Sequence, residues 1–134
     1  MANAATFQCS IITPEAAVLE CDATFVAFPA HDGEMGIMTG RAPLVCKLGI
    51  SQLRVETDSE KHVLFVDGGF AQVSGRNLSI LTEQAKGADK IDGDSASTAL
   101  IEARAMPGIS DEEFTAKTKA VQRAQVQIKL AKST

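Results

Sequence analysis

Between Ser51 and Thr57, polar Gln52, Arg54 and Glu56 alternate with Leu53 and Val55. A period of two turns one row toward a core and the other toward water, the signature of a half-buried strand. Asn77-Leu78-Ser79-Ile80-Leu81 repeats the pattern, with Leu78 and Ile80 expected inward. Phe7, Cys9 and Ile11 share one face of an opening strand, and Phe25 and Ala27 share one face of another. His62 to Val66 is a short, nearly continuous apolar run, as expected of a strand covered on both faces. Turn signals separate these runs at Thr13-Pro14, Pro29, Asp32-Gly33, Gly40, Gly49, Thr57-Asp58-Ser59, Gly68-Gly69 and Ser74-Gly75. Many short strands without intervening helices predict an all-β sandwich or barrel for the first part of the chain.

From Ile91 the period changes. Ala96, Ala99, Leu100 and Ala103 fall at i, i+3, i+4 and i+7, one stripe of a helix that Asp92 or Asp94 can cap. Met106-Pro107-Gly108 ends it, because proline cannot continue the hydrogen-bond ladder. Ser110 and Glu113 then form a capping box for a second helix, with Asp111 and Glu112 at its positive end and Lys129 and Lys132 at its negative end. Phe114, Val121 and Ile128 recur every seven residues, with Ala120, Ala124 and Ala131 on the same side. So short a connection predicts an antiparallel hairpin. At about 0.8 kcal/mol per buried methylene, a seam of alanines holds weakly. Such a hairpin can dock, undock or open, although a permanently docked helical cap fits the same pattern.

The resulting division is a β-sandwich over residues 1–88 and an α-helical hairpin over 89–134. Charge follows it: the first part holds six Lys/Arg against ten Asp/Glu, the second seven of each. Within 134 residues, 45% hydrophobic and 22% charged, there is room for one ordinary core and a small appendage. No apolar run approaches the length of a membrane span, so direct membrane insertion is not expected. The start MANAATFQCS lacks the basic opening and apolar core of a secretory signal, which predicts a cytosolic address. A net charge of −4 argues against general nucleic-acid binding.

Candidate chemistry is sparse. Cys9, Cys21 and Cys46 are widely spaced and form no C-x-x-C pair, so they read as small hydrophobes in a reducing compartment. No G-x-S-x-G elbow, phosphate loop or carboxylate pair with a nearby histidine occurs. His31, Asp32 and Glu34 are donors of the right type for a metal, but clustered in a turn they read as a solvated turn, and no metal is expected.

The densest signal is His31 to Val45, with three glycines, two methionines and a proline among charged residues. Gly33-Glu34-Met35-Gly36-Ile37, Gly40-Arg41-Ala42-Pro43-Leu44 and Val66-Asp67-Gly68-Gly69-Phe70 form an ordered set. Ile12-Thr13-Pro14-Glu15, Gly49 to Val55 and Gly87 to Asp92 extend it over nearly the whole chain. Together they resemble the epsilon subunit of F-type ATP synthase, bacterial type, a β-sandwich followed by a two-helix hairpin.

The resemblance implies a non-catalytic central-stalk rotor subunit that couples proton flow through the c-ring to ATP synthesis and regulates ATP hydrolysis. Its partners would be the gamma subunit, the c-ring and, with the hairpin extended, the catalytic head subunits. The loop Gly33, Glu34, Met35, Gly36 and Ile37 would rest on the ring, with Glu34 as polar contact. Thr13, Arg41 and Cys46 would face gamma, Arg41 standing where the family has histidine. Lys117, Lys119, Arg123, Lys129 and Lys132 would supply the inhibitory basic helix. Some members hold ATP through I/L-D-x-x-R-A and arginines of the second helix. Here Ile91, Asp92 and Arg123 match, but Ser95 and Gln127 replace two guanidiniums, which removes bidentate phosphate contacts and implies weak or absent ATP binding. No other cofactor is implied. The expected address is the cytoplasmic face of the bacterial plasma membrane, as a peripheral subunit. A free-standing sandwich adaptor whose hairpin binds a partner protein is the alternative, and a small hydrolase is disfavoured by the missing nucleophile–base pair.

Overall fold

The structure, a computed structural model, describes residues 6–30, 33–37 and 43–132. It divides into two compact units, Met1–Lys86 and Gly87–Thr134.

The first unit contains strands β1 (Phe7–Ile12), β2 (Ala17–Ala23), β3 (Phe25–Ala30), β4 (Gly33–Ile37), β5 (Leu44–Glu56), β6 (Lys61–Ser74) and β7 (Asn77–Leu81), and the short β8 (Ala85–Gly87) falls at its boundary. Hydrogen bonds link them in the order β2-β1-β7-β6-β5-β3-β4, with β8 on β6. Only β1 and β7 pair in parallel along that path.

Two long strands fold this sheet into two facing layers. In β5 the inward positions are Leu44, Cys46 and Leu48, then Leu53 and Val55; in β6 they are Leu64 and Val66, then Ala71 and Val73. The inward phase therefore slips by one residue near Gly49 and Gly68-Gly69. Gly68 and Gly69 have φ of +69° and +105°, values glycine adopts freely and residues with a Cβ only at a cost. A Cβ on Gly69 would also run into the Leu81 carbonyl. Across this bend β6 pairs with β7 on one side, while on the other the Asp67 N–H reaches the Gln84 carbonyl at 3.1 Å.

The layers enclose one core. Phe7, Cys9, Ile11, Leu78 and Ile80 from one layer meet Val26, Phe28, Leu53, Val55 and Val66 from the other, all buried. Fully burying a side chain of this size contributes about 1.5–3 kcal/mol. Thr82 is buried but satisfied: its hydroxyl accepts from the Asp67 N–H at 3.1 Å and donates to the Gln84 carbonyl at 3.2 Å.

Several expectations match and several fail. Phe7, Cys9 and Ile11 point inward together, as do Leu78 and Ile80, and Leu64, Phe65 and Val66 are buried in succession. In β3, however, the core takes Val26 and Phe28 rather than the row of Phe25 and Ala27. Ala27 is still buried, and half-buried Phe25 lies under the Arg54 guanidinium at 5.6 Å. Gly49, Pro29 and Gly68-Gly69 are not turns but lie within strands. Pro29 falls where the β3–β5 register slips between Ala27 and Ala30, a site where a missing N–H is tolerated.

In the second unit a 3₁₀ turn (Ala88–Lys90) leads to helices α1 (Gly93–Arg104) and α2 (Asp111–Lys132). Asp92 caps α1: its carboxylate accepts from the Asp94 N–H at 3.0 Å and the Ser95 hydroxyl at 2.8 Å. Ser110 and Glu113 exchange reciprocal bonds of 3.1 Å, the capping box that opens α2. Ala96, Ala103, Ala124 and Leu130 are buried, and a Cβ on Gly93 would meet that of Ala131 at 3.6 Å. Two members of the expected stripes do not join this seam: Ala99 and Phe114 are exposed, Phe114 by 62%. Leu130, absent from the expected stripes, is also buried near the end of α2.

Candidate interaction surfaces

The outer face of the β2-β1-β7-β6 layer carries an apolar row built by strand register. Phe70 stands opposite Leu81, Leu81 opposite Ile12, and Ile12 opposite Ala17. Phe70, Leu81 and Ile12 are 53%, 46% and 37% exposed, although each touches a strand whose inner face is fully buried. Val45 and Val18 add further exposed apolar surface on the neighbouring strands, and Lys47 closes the row beyond Phe70. Single exposed apolar side chains are ordinary, whereas a row crossing three paired strands is the form a protein-docking patch takes.

Sequence reasoning missed this row, but its signal was present. Ile11-Ile12 and Ile80-Leu81 are apolar doublets in strands of period two, so one member of each must face outward. Because β1 and β7 pair in parallel and in register, both outward members fall side by side.

Thr13 follows Ile12 directly and begins a tight turn. Its N–H and its hydroxyl both donate to the Ala16 carbonyl, at 2.9 and 3.1 Å. The structure thus brings Thr13 to the end of the apolar row. Cys46 is half-buried with its side chain against the core, and its thiol donates to the Lys47 carbonyl at 3.5 Å. Its neighbour Val45 is the residue that faces out. Arg41 and His31 lie outside the described residues.

Residues Gly33 to Ile37 form a strand rather than a loop. β4 pairs with β3 so that Ile37 stands opposite Val26, Met35 opposite Phe28, Glu34 opposite Pro29 and Gly33 opposite Ala30. It terminates the path of paired strands, in the layer other than the one bearing the apolar row. The side chain of Glu34 lies outside what is described.

On α2 the cations do not form one stripe. Lys119 and Arg123 line a shallow depression with Asp111, Glu112, Thr115 and Ala116. Lys117 lies instead on a face with Phe114, Thr118 and Val121. Lys129 and Lys132 are exposed in the last turn. Asp92, matched above to a nucleotide motif, spends its carboxylate on the α1 cap, and Ile91 is half-buried beside it. Among the described residues no three His, Cys, Asp or Glu side chains converge as metal ligands.

Comparison with known proteins agrees with this architecture. The family described as "ATP synthase, Delta/Epsilon chain, beta-sandwich domain" matches residues 6–88. An ATP synthase epsilon chain of Rhodopirellula baltica is 41% identical over 127 residues, covering 95% of this chain and 99% of that one. One from Lawsonia intracellularis is 37% identical over 95 residues, 71% of each chain. Among solved structures, a chain in the cryo-EM structure of the Euglena gracilis mitochondrial ATP synthase OSCP/F1/c-ring assembly shares the fold at a TM-score of 0.82 and 22% identity. That match covers 96% of this chain and 82% of the other.

Proposed function

The chain belongs to the delta/epsilon family of ATP synthase, and from that premise we propose that it joins two neighbours in the central stalk and performs no bond-making itself. The sandwich is the coupling body. Its apolar row of Phe70, Leu81 and Ile12, with the adjoining Thr13 turn, is the surface offered to the gamma subunit. The edge strand Gly33–Ile37, in the other layer, is offered to the polar loops of the c-ring. A body clamped at two places transmits torque only if it resists shear, and here two long paired strands run through both layers around one hydrophobic core. The observation that carries the reading is the exposed apolar row itself, contiguous across three paired strands as a docking surface is.

The helical unit is the regulatory arm. Its alanine-rich seam holds the two helices together weakly, and the cations of α2 suit acidic stretches of catalytic subunits. Lys119 and Arg123 act together in this role, because they share one face, and Lys117 acts from another. Regulation here does not run through tight nucleotide binding, since Asp92 is engaged by the helix cap and Ser95 donates to it rather than to a phosphate. Among the described residues no helix is long and apolar enough to cross a membrane, which suits a subunit held peripherally on the cytoplasmic face of a bacterial plasma membrane.

Two variants test this in the assembled enzyme. With Phe70→Asp and Leu81→Asp together, the chain should keep its strand content yet co-purify with gamma at least tenfold less well; undiminished co-purification would remove the docking role. Truncation after Lys90 should leave assembly intact and raise ATP hydrolysis, whereas loss of assembly would make the hairpin structural instead.

A further inference from the structure

Strands β1 and β2 place Cys9 directly opposite Cys21. Directly opposed antiparallel residues have Cα atoms about 4.5–5.5 Å apart, inside the roughly 4.4–6.8 Å window of protein disulfides. Directly paired residues also share a face, and both side chains pack into the same core cluster. Their electrostatic coupling agrees: a charge on Cys21 would disfavour one on Cys9. Both are free thiols. The third thiol, on Cys46, has Ala71 opposite it and takes no part.

We propose that Cys9 and Cys21 are a two-electron redox pair that closes a cross-strand disulfide when the chain meets hydrogen peroxide. Entry is at Cys21, which is half-buried on the terminal strand of the sheet path, whereas Cys9 is fully buried. The Cys21 thiolate attacks one peroxide oxygen, the O–O bond breaks, and the departing hydroxide takes a proton to leave as water. The resulting sulfenic acid is attacked by Cys9 sulfur as that thiol gives up its proton. The S–S bond forms, the S–O bond breaks, and a second water leaves. Two thiols are oxidised by two electrons and one peroxide is reduced to two waters.

The surroundings make the pair slow rather than hair-triggered. Burial pushes the Cys9 thiol up to about 12, and burial together with Asp22 and Glu60 raises Cys21. Only the thiolate is nucleophilic, so attack on peroxide through Cys21 is slow. Once closed, the bridge ties the terminal strand to β1 and fastens the Thr13–Ala16 turn between them.

The test uses the full chain carrying Cys46→Ser, with hydrogen peroxide as the probe. No Lys or Arg precedes Arg41, so trypsin leaves both cysteines on one fragment; cleavage after Glu15 and Glu20 separates them. The expected products are a Cys9–Cys21 linked peptide, loss of both alkylatable thiols, reversal by dithiothreitol, and an unfolding midpoint raised by about 5 °C or more. Oxidation that stops at sulfinic acid on Cys21, with Cys9 still alkylatable after unfolding, would overturn the proposal. So would cross-links only between chains. If Cys46→Ser does not fold, peptide mapping of the unmodified chain decides between the same outcomes.

Discussion

Replacing Gly69 with alanine probes the bend that passes β6 from one layer to the other and presents Phe70. Two costs add at this position. A residue with a Cβ in the left-handed half of backbone space loses about 1–2 kcal/mol, and Gly69 lies at φ +105°. The new Cβ would also meet the Leu81 carbonyl, with Leu81 C and Thr82 Cα each at 2.8 Å, and these are backbone atoms that cannot swing aside. Relief requires moving the segment after β7. That movement strains the Asp67 N–H to Thr82 hydroxyl bond at 3.1 Å and the Thr82 N–H to Ile12 carbonyl bond at 3.0 Å. Each nets about 1 kcal/mol when intact, so the total loss is about 3–4 kcal/mol from a domain stability of about 5–15 kcal/mol. Gly75→Ala is the control: it sits at φ +61° with nothing within 4 Å of the added atom, so it incurs backbone strain alone. The chain has no Trp or Tyr for fluorescence, and the helices dominate the far-ultraviolet signal. Amide hydrogen exchange at Ala71 and Leu78, read in increasing urea, isolates the strands concerned. Gly69→Ala should lose at least about 2 kcal/mol more than Gly75→Ala. Equal losses would refute the claim that backbone crowding, rather than conformation alone, demands glycine at position 69.

Removing the capping box with Ser110→Ala or Glu113→Ala should cost the helical unit about 1 kcal/mol each, seen as an earlier loss of helical circular dichroism on heating. Leu130→Ala should cost about 2–5 kcal/mol in the same assay, and Phe114→Ala, at an exposed position, no more than about 0.5 kcal/mol. Stability should also fall at alkaline pH through Cys9. Its folded pKa is raised from 9.0 to about 12, so the unfolded chain ionises first. The contribution is complete below pH 9 and is lost as pH rises toward 12. Cys9→Ala should flatten that part of the stability–pH curve, and an unchanged slope would show that the thiol is not insulated as the structure indicates.

Local periodicity carried much of this molecule. Alternation marked the inner faces of β1 and β7, the capping residues located both helix starts, and the ordered glycine motifs pointed to the family from one-dimensional information alone. These features depend on neighbours in the chain, which a sequence displays directly. Failures came where two readings were locally equivalent. In Phe25-Val26-Ala27-Phe28 either alternating row is apolar enough to be the core row, and the choice of Val26 and Phe28 was made by pairing with β5. Gly49, Pro29 and Gly68-Gly69 have turn chemistry, yet long-range pairing between β5 and β6 runs through two of these sites and turns their freedom into bends.

From its own order of residues the chain determined its elements, the helix caps, the change from strand to helix near residue 90, and its family. Tertiary structure alone decided that Ile12, Leu81 and Phe70 should lie side by side and that Cys9 should face Cys21. Both outcomes depend on which strands become neighbours and in what register. That is settled by burying one shared core, a cost and gain spread over residues as far apart as Phe7 and Ile80 that no local pattern encodes.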